Sequence, residues 1–583
     1  MVALGLSAPQ LLPTLELRVL SIRAGTLGYG MATSYSLPLA LILKGLLPTY
    51  GAPTISIELI GYVGMAGLIL SAAALALRPD RRVVGLLLAA LLGLALAFGQ
   101  YDPLYHLAYR FVPGISLFRV PGRWLMVYTV ALAGLVGVGL DYLGRPSRSG
   151  GGARPKSKDG ARVARFLAVL LGPAVGLAVV LALYQRLRGH VVEVPGGLTV
   201  GIWAASAVLG VALVLVALRR SDIARRGAAA GLLVLLAAEL FGASLVASPN
   251  QTVPDRAATD TTPEVQYLQS ATRASPDAPF RLLSVGNQTY TLADQAAIAA
   301  SLGAQMRPDE VDAYLVAIRN RQLELPNVPL VFGLSTLDGY DGGVLPLQRW
   351  VDLTSLLMKE ARVPIAPVWM QLKTVPDPKL LSWLNVRYLI VDRSIDAEKV
   401  SPSYRLVYSG DTKVYENLAV LPRAYVVGRV LSVGSDQAAL EVLRSSSFDP
   451  RAEAVVTAGA LEAAGIQPQA GQSAQARIVS YADERVVVET DLSSPGLLVL
   501  ADTNYPGWKA VVDGVERPIV TTDYLFRGVW LGAGKHRVEF RFEPTSFSRG
   551  VLIAAVTVVL TLMLLVLGPG LERRLSLLDR HDR

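Results

Sequence analysis

The sequence predicts a multipass α-helical membrane protein of about 7 to 8 spans that carries an extracytoplasmic domain, part α/β and part β-sandwich. Two observations predict this class. The 583 residues are 52% hydrophobic and 17% charged, whereas soluble domains contain about 25% charged residues. The apolar residues are also gathered in separate blocks of about 20, which is the length needed to cross a bilayer.

The chain is predicted to divide into four segments, because a single core stops growing at about 250 to 300 residues. After position 248, the apolar blocks give way to short alternating patterns with more proline and polar residues. The predicted segments are a membrane domain at 1–247 with a partial first span and about six further spans, an α/β region at 248–430, a β-sandwich at 431–548, and a final transmembrane helix with a basic cytoplasmic tail at 549–583.

Charge, cysteine and histidine usage exclude several function classes. The net charge of +9 does not indicate nucleic-acid binding, because the arginines lie in short clusters between apolar blocks and not in one basic stripe. The absence of cysteine excludes disulfides, thiolate metal sites and cysteine nucleophiles. The four histidines are far apart and without metal-ligand spacing, so no metal site is expected.

Seven blocks are apolar and long enough to be predicted as spans. They are 57–77, 83–99, 124–143, 163–184, 198–218, 228–247 and 550–568. The stretch from Val2 to Leu12 looks like the tail of an eighth span without a basic leader, so the N-terminus is predicted to be truncated.

Basic residues predict the orientation of the spans, because cytoplasmic loops retain Lys and Arg. The basic clusters fall in alternate loops and in the C-terminal tail, at 78–82, 145–165, 219–226 and 573–583. The sequence therefore places residues 248–548 on the extracytoplasmic side of the membrane.

Alternating patterns and turn residues predict the elements of this domain. In the α/β region, helices are expected at 263–270 and 308–325, and strands at 280–285, 387–391, 404–408 and 413–416. In the β-sandwich, strands are expected at 476–480, 485–490, 496–500, 508–512, 517–520 and 537–542. Asp513 and Gly514 suit the two-residue turn of a hairpin, which requires positive φ.

Short motifs spread over most of the chain resemble those of the bacterial YfhO family of membrane proteins. The resemblance is carried by their order, since each motif alone is weak. They are Leu-Leu-Pro-Thr-Leu-Glu at 11–16, Arg-Val-Pro-Gly-Arg at 119–123, Asn-Val-Arg-Tyr at 385–388, Val-Tyr-Glu-Asn at 414–417, Tyr-Pro-Gly-Trp at 505–508 and Val-Asp-Gly at 512–514.

The resemblance implies a similarity to GT-C glycosyltransferases, which move a sugar from a polyprenyl-phosphate carrier to an acceptor on the outer face of the plasma membrane. It therefore implies a lipid-linked glycosyltransferase, or a truncated form of one, in cell-envelope glycan or teichoic-acid glycosylation. A polyprenyl-phosphate sugar would be the donor and an envelope glycan the acceptor. Such enzymes carry a catalytic acid in the first outer loop, which this chain is expected to lack, so no catalytic residue is assigned.

Two other functions stay open from the sequence. One is a non-enzymatic envelope protein whose outer domain binds glycan or protein partners. The other is a transporter of lipid or polymer, although the spans show no pair broken by Pro or Gly with inverted repetition. An enzyme requires an acidic group in an outer loop, whereas a binding protein does not.

Arg119 and Arg123 are candidates for binding a lipid phosphate, because they flank Pro121 just before a predicted span. The planar fork of donors on arginine suits phosphate. The alternative interpretation is interfacial anchoring, in which long basic side chains reach the headgroup level.

Three further residues near the membrane carry charge. Glu16 and Arg23 follow the partial first span and are predicted to face outward, where they either pair with each other or contact an acceptor hydroxyl. Glu239 is an acid inside a strongly apolar span, so a partner within the helical bundle is expected.

Four residues of the β-sandwich are candidates for a sugar platform, because aromatic faces stack on sugar rings. They are Tyr505, Trp508, Asp513 and Trp530. The alternative interpretation is that they belong to the hydrophobic core around the hairpin.

Overall fold

The computed structural model describes residues 1–25, 27–50, 55–145, 156–188, 192–219, 222–245, 261–286, 295–303, 308–322, 327–339, 346–358, 368–372, 374–466 and 471–578. They form two compact units. We call Gly25–Thr252 the helical unit, and we call Met1–Ala24 together with Val253–Arg583 the sheet unit.

The first two helices of the chain belong to the sheet unit, and the helical unit follows. The first two are α1 (Val2–Leu6) and α2 (Ala8–Leu20). The helical unit contains α3 (Tyr29–Ala32), α4 (Ile42–Leu46), α5 (Met65–Leu77), α6 (Arg81–Ala97), α7 (Pro103–Phe111), α8 (Leu125–Gly144), α9 (Lys156–Arg188), α10 (Gly197–Arg219) and α11 (Asp222–Leu245).

The rest of the sheet unit mixes helices with strands. Its helices are α12 (Pro263–Ala274), α13 (Gln295–Gly303), α14 (Pro308–Gln322), α15 (Val328–Val331), α16 (Gln348–Ser355), α17 (Val368–Gln371), α18 (Pro378–Trp383), α19 (Asp436–Arg444), α20 (Ala458–Ala463) and α21 (Thr545–Leu578). Its first strands are β1 (Arg281–Val285), β2 (Val386–Asp392), β3 (Tyr404–Ser409), β4 (Thr412–Asn417), β5 (Ala424–Val427), β6 (Arg429–Val433) and β7 (Glu453–Thr457). The remaining strands are β8 (Ala474–Ala482), β9 (Arg485–Leu492), β10 (Gly496–Thr503), β11 (Trp508–Val512), β12 (Val515–Arg517), β13 (Val520–Thr522), β14 (Phe526–Leu531) and β15 (Gly534–Phe542).

Among the described residues, five helices are long and apolar enough to cross a membrane. Their apolar stretches are Pro121–Gly144, Gly160–Leu187, Gly197–Leu218, Asp222–Leu245 and Thr545–Leu567. The predicted spans at 57–77 and 83–99 correspond to shorter helices, because α5 has 13 residues and α6 has 17. A straight helix needs about 20 residues to cross the hydrocarbon. The chain is thus a membrane protein with a sheet domain.

A buried carboxylate lies at the N-terminus of α5, which begins at Met65. Glu239 on α11 is 3% exposed and accepts a hydrogen bond of 3.0 Å from the N–H of Ala66, in the first turn of α5. Gly64 precedes this turn with φ of +77°, and a Cβ there would lie 2.8 Å from Glu239 Oε2. The expected partner of Glu239 is therefore a helix N-terminus, whose free N–H groups and dipole favour a negative charge.

The helices α1 and α2 pack against α21 at very short range. A Cβ on Gly550 would lie 2.5 Å from the carbonyl oxygen of Ala8, and a Cβ on Gly5 would collide with the side chain of Thr557. Small residues at such contacts let helix backbones approach closely, as they do between transmembrane helices. Beyond α2, the N–H of Ile22 donates to the carbonyl of Pro346 at 3.1 Å, which joins this segment to the sheet unit.

The first sheet confirms the predicted α/β pattern. It has four strands in the order β1-β2-β4-β3, with β1 parallel to β2 and the other pairs antiparallel. The predicted helix at 263–270 is α12, and the predicted pairing of 404–408 with 413–416 is the β3–β4 hairpin.

The second sheet has eleven strands in the order β12-β11-β15-β9-β8-β5-β10-β14-β13-β7-β6. It is one continuous sheet rather than the two separate sheets of the expected sandwich. Apolar side chains from strands on both sides of β8 share one core, since Val426 of β5, Leu498 of β10, Val488 of β9 and Phe540 of β15 form one cluster. The alternate side chains of β5 and β10, such as Tyr425 and Val499, enter a second cluster with α18 and α19.

One predicted strand is wrong and one predicted turn is confirmed. The stretch 517–520 is not a strand, because Pro518 cannot donate a ladder hydrogen bond and separates β12 from β13, which occupy different positions in the sheet. The β11–β12 hairpin turns at Asp513 and Gly514, with φ of 51° and 85°.

Candidate functional site

The segment Arg119–Arg123 leads into the membrane-spanning helix α8 through a strained turn. Val120 has φ of 67°, which is rare for a β-branched residue, and Pro121 opens a short 3-10 turn that continues into α8. Gly122 is required at its position, because a Cβ would lie 2.7 Å from the carbonyl oxygen of Glu58 and 2.9 Å from that of Tyr35. Strain held by surrounding structure is typical of functional sites.

The two arginines of this segment differ in their partners. Arg123 forms a two-pronged ion pair with Glu58, with Nε and Nη2 donating at 2.9 and 2.8 Å. Arg119 is half-buried and has no ion pair within the described part of the chain. Arg123 is therefore the direct partner of Glu58, whereas Arg119 interacts with Glu58 only at longer range and keeps its donors for another anion.

Glu16 lies in the sheet unit beside one of the predicted platform residues. Its carboxylate accepts a hydrogen bond from the hydroxyl of Tyr505. Burial and this carboxylate together raise the pKa of Tyr505 to about 12. Arg23 is half-buried after the end of α2, where its N–H donates to Ser21 Oγ at 3.1 Å. The structure thus brings together Glu16 and Tyr505, which sequence reasoning assigned to separate sites.

The four predicted platform residues separate into two pairs. Tyr505 and Trp508 line a cavity of about 350 Å³ in the sheet unit. Asp513 and Trp530 line a different cavity of about 480 Å³. Asp513 also pairs with Nδ1 of His536 at 2.7 Å and accepts the N–H of Arg537 at 2.8 Å, so it connects the turn of the β11–β12 hairpin to β15. The four residues do not form one surface.

The turn from Tyr505 to Trp508 packs against the beginning of the membrane-spanning helix α21. Gly507 has φ of 104°, and a Cβ there would lie 2.8 Å from Cα of Pro544. The N–H of Glu543 donates to the carbonyl of Gly507 at 2.7 Å. Because α21 starts at Thr545, the cavity beside this turn lies at the end of the sheet domain from which the chain enters the membrane.

Arginines converge on one aspartate at the back of this cavity. Asp502 is 5% exposed and accepts hydrogen bonds from Arg281 Nη2 at 3.0 Å and Arg423 Nε at 2.8 Å. Nη2 of Arg527 lies 3.6 Å from its other oxygen. The hydroxyl of Tyr481 lies 3.0 Å from Asp502 and accepts from Arg423 at 2.6 Å. We call Arg281, Arg423, Arg527 and Asp502 the arginine cluster.

Burial and the number of nearby cations determine the pKa values of the residues in the arginine cluster. Burial alone would raise the pKa of Asp502, but Arg423, Arg281 and Arg527 hold it below its ordinary value. Burial and the neighbouring Arg423 lower the pKa of Arg281 to about 10. Burial likewise lowers the pKa of Arg527. The cluster keeps its charges, but it holds more positive than negative charge.

Arg527 connects the arginine cluster to the aromatic side chains. Its guanidinium carbon lies 3.6 Å from the ring centroid of Trp508, which is a close cation–π contact. This contact occupies one face of the Trp508 ring. Nε and Nη1 of Arg527 are buried and have no hydrogen-bond partner within the described part of the chain. Donors of this kind normally find an acceptor, because an unmet buried donor costs about 1 to 3 kcal/mol.

Sequence reasoning missed the arginine cluster. Its members come from β1, the loop before β5, the end of β10 and β14, so no local spacing joins them. A weak signal existed in β14, where Arg527 interrupts an apolar strand whose neighbours Phe526, Val529 and Leu531 are buried. Within the described residues, no group of three or more His, Asp and Glu side chains could hold a metal ion.

Comparison with known proteins found no family model, no curated protein and no solved structure that matches this chain. The class of the protein therefore follows from its own structure. It is a membrane protein with several apolar helices and a β-rich domain that carries an arginine-lined cavity.

Proposed function

We propose that this chain is a YfhO-like protein of a bacterial plasma membrane that binds a polyprenyl-phosphate-linked saccharide and belongs to the GT-C type of glycosyltransferases. The sheet domain then lies on the extracytoplasmic side, where an envelope glycan is the acceptor. The observation that carries the lipid-binding step is Arg119, which has no ion pair among the described residues and sits on a rigid turn at the beginning of a membrane-spanning helix.

Physical chemistry supports a phosphate at this place. A phosphate anchored in the headgroup layer lies at the level where a spanning helix begins, and an arginine offers it several donors in a fixed plane. The ion pair of Arg123 with Glu58 fixes the turn that presents Arg119. We therefore assign the phosphate contact to Arg119 and a positioning role to Arg123.

The experiment is retention of radiolabelled polyprenyl phosphate by the full chain, purified in detergent and reconstituted in phosphatidylcholine bilayers. Arg119→Ala is expected to weaken retention at least about 10-fold, because a hydrogen bond to a charged group is worth about 1.5 to 3 kcal/mol. Arg119→Lys should restore part of it. The control is Arg110→Ala, since Arg110 is another cation of the helical unit and lies on its exposed surface. Equal retention by Arg119→Ala and the control would contradict the proposal.

A second candidate function is a non-enzymatic envelope protein whose sheet domain binds glycan. It is favoured by the cavity beside Tyr505 and Trp508, whose lining combines aromatic side chains with two arginines and two aspartates. Transfer of labelled sugar to an acceptor glycan separates the two functions. Glu16 is the carboxylate beside this cavity, so any transfer should fall in Glu16→Gln. Retention of the lipid without transfer would favour the binding protein.

A further inference from the structure

Within the arginine cluster, positive charge exceeds negative charge. Three arginines face one aspartate, and each of the four side chains is at most 14% exposed. Tyr481 does not supply the missing negative charge, because burial and Asp502 raise the pKa of its hydroxyl. Buried charges in proteins are normally paired, since desolvation of an unpaired ion costs several kcal/mol. The cluster therefore lacks the equivalent of two negative charges.

Arg281 and Arg527 of the cluster line the cavity, together with Asp502 and the exposed Asp483. Arg423 is satisfied by Asp502, Tyr481 and Asn385. Arg281 donates to Asp502 and to the carbonyls of Leu384 and Ala501. Arg527 is the member whose Nε and Nη1 have no acceptor among the described residues, and it lines the cavity together with Arg281 and Tyr505. The buried donors without an acceptor thus belong to a side chain that lines the cavity.

We propose that this cavity binds the phosphate group of a phosphorylated saccharide. A phosphate monoester carries about 1.5 to 2 negative charges at neutral pH, which matches the missing charge of the cluster. Its oxygens suit the planar donors of Arg527 and complete their hydrogen bonds. Tyr505 and the edge of Trp508 border the same cavity and offer apolar surface to the sugar ring.

The site is independent of the lipid-phosphate contact proposed for Arg119. All of its residues belong to the sheet unit, whereas Arg119 belongs to the helical unit. Because the cavity lies at the membrane-proximal end of the sheet domain, the phosphate could come from a soluble saccharide phosphate or from a lipid headgroup. Both sources offer the same phosphate chemistry, and the experiment below distinguishes between them.

The test is thermal unfolding of the full chain in detergent with inorganic phosphate, glucose 1-phosphate or methyl glucoside added. Ligand that binds only the folded state raises the melting temperature, and we expect a rise of about 2 °C or more with saturating glucose 1-phosphate. Inorganic phosphate should give a smaller rise and methyl glucoside none. The melting temperature is also compared in nanodiscs with and without phosphatidic acid, which tests a lipid as the source of the phosphate. A shift found only with phosphatidic acid assigns the same site to a lipid phosphate.

The deciding variant is Arg527→Met, which keeps a long apolar side chain against Trp508 and removes the charge. It should abolish the phosphate-dependent rise while the melting temperature without phosphate stays equal or increases, because one repelling cation is gone. Arg527→Lys should retain a reduced rise. The matched control is Arg537→Met, since Arg537 lies on the same sheet, is 56% exposed and is already paired with Glu489.

Two results would overturn the inference. One is the absence of a melting shift with every phosphate probe in the unmodified protein. The other is a shift of equal size in Arg527→Met and Arg537→Met. If Arg527→Met fails to fold, Arg527→Lys decides, because a phosphate response identical to that of the unmodified protein would show that the guanidinium does not contact the ligand.

Discussion

Asp502 and Asp523 are both buried in the sheet domain, and their surroundings are opposite. Asp502 is held among three arginines, which keep its pKa below the ordinary value despite burial. Asp523 is 0% exposed and accepts hydrogen bonds from the N–H of Val455 at 2.7 Å and the indole N–H of Trp383 at 3.1 Å. Burial raises the pKa of Asp523 to about 7. The comparison teaches that burial sets the cost of a charge and that nearby cations decide whether it is kept.

The difference also distinguishes structural from ligand-binding polar groups. The two oxygens of Asp523 have matched donors, so this group serves the fold. The arginine cluster has more donors than acceptors, and Arg527, which carries the donors without an acceptor among the described residues, lines a cavity. An excess of one charge sign that the protein leaves unmatched is therefore the feature that points to a ligand.

The largest expected effect comes from removing the anion of the arginine cluster. Asp502→Asn leaves Arg281, Arg423 and Arg527 without a counter-ion, and breaking a buried ion pair costs about 3 to 5 kcal/mol. Denaturant unfolding of the full chain measures it. The control is Asp491→Asn, since Asp491 is 70% exposed and lies 3.8 Å from Lys535, so its effect should stay within about 0.5 kcal/mol. Equal effects would mean that the cluster does not need its aspartate.

The pH dependence of stability sharpens the comparison. The pKa of Asp523 is about 7 in the folded protein and 3.8 ordinarily, so the folded state binds more protons between these values. Stability from this group therefore falls as pH rises from about 4 to about 7, by at most about 4 kcal/mol. Asp502 acts in the opposite sense, since its lowered pKa means that its contribution is lost as pH falls below about 4.

In the variant Asp523→Asn, stability should no longer fall between pH 4 and pH 7. The loss of stability below about pH 4, which comes from Asp502, should remain. Melting temperatures of both proteins across this range measure the difference. An unchanged pH profile in the variant would mean that Asp523 is ionised in the folded protein. Asp523 would then keep its charge in the folded protein, as Asp502 does.

The smallest expected effect concerns the ion pair of the helical unit. Arg123 is 63% and Glu58 is 30% exposed, so a double-mutant cycle with Arg123→Ala and Glu58→Ala should give a coupling of at most about 1 kcal/mol. Salt should reduce this coupling, because exposed charges are screened. A coupling of several kcal/mol that resists salt would place this pair in the same class as Arg423 and Asp502.

Local patterns predicted the elements that depend on local rules. The long apolar blocks became α8 to α11 and α21, and the turn at Asp513 and Gly514 formed where positive φ was needed. In the predicted span at 57–77 the α-helix begins only at Met65, beside a contact with Glu239 that lies far away in sequence. The arginine cluster could not be predicted for the same reason, since its members come from distant strands.

For the candidate residues too, the sequence predicted local position but not contacts between residues that are distant in the chain. Arg119 and Arg123 were identified from their position before an apolar block, but their different partners required the position of Glu58 in space. Tyr505 and Trp508 were identified as aromatic residues near a hairpin. Their neighbours Arg527 and Glu16 come from other parts of the chain and give the cavity its charge.

The central claim is that the sheet domain of this membrane protein faces outward while the basic loops face the cytoplasm. The chain has no cysteine, so single cysteines can be labelled without background. Lys535→Cys places a thiol on the exposed sheet surface, and Arg226→Cys places one at the exposed start of α11. With a membrane-impermeant maleimide on intact cells, the account predicts labelling of Lys535→Cys at once and of Arg226→Cys only after permeabilisation. Labelling of Arg226→Cys in intact cells, with Lys535→Cys protected, would contradict it.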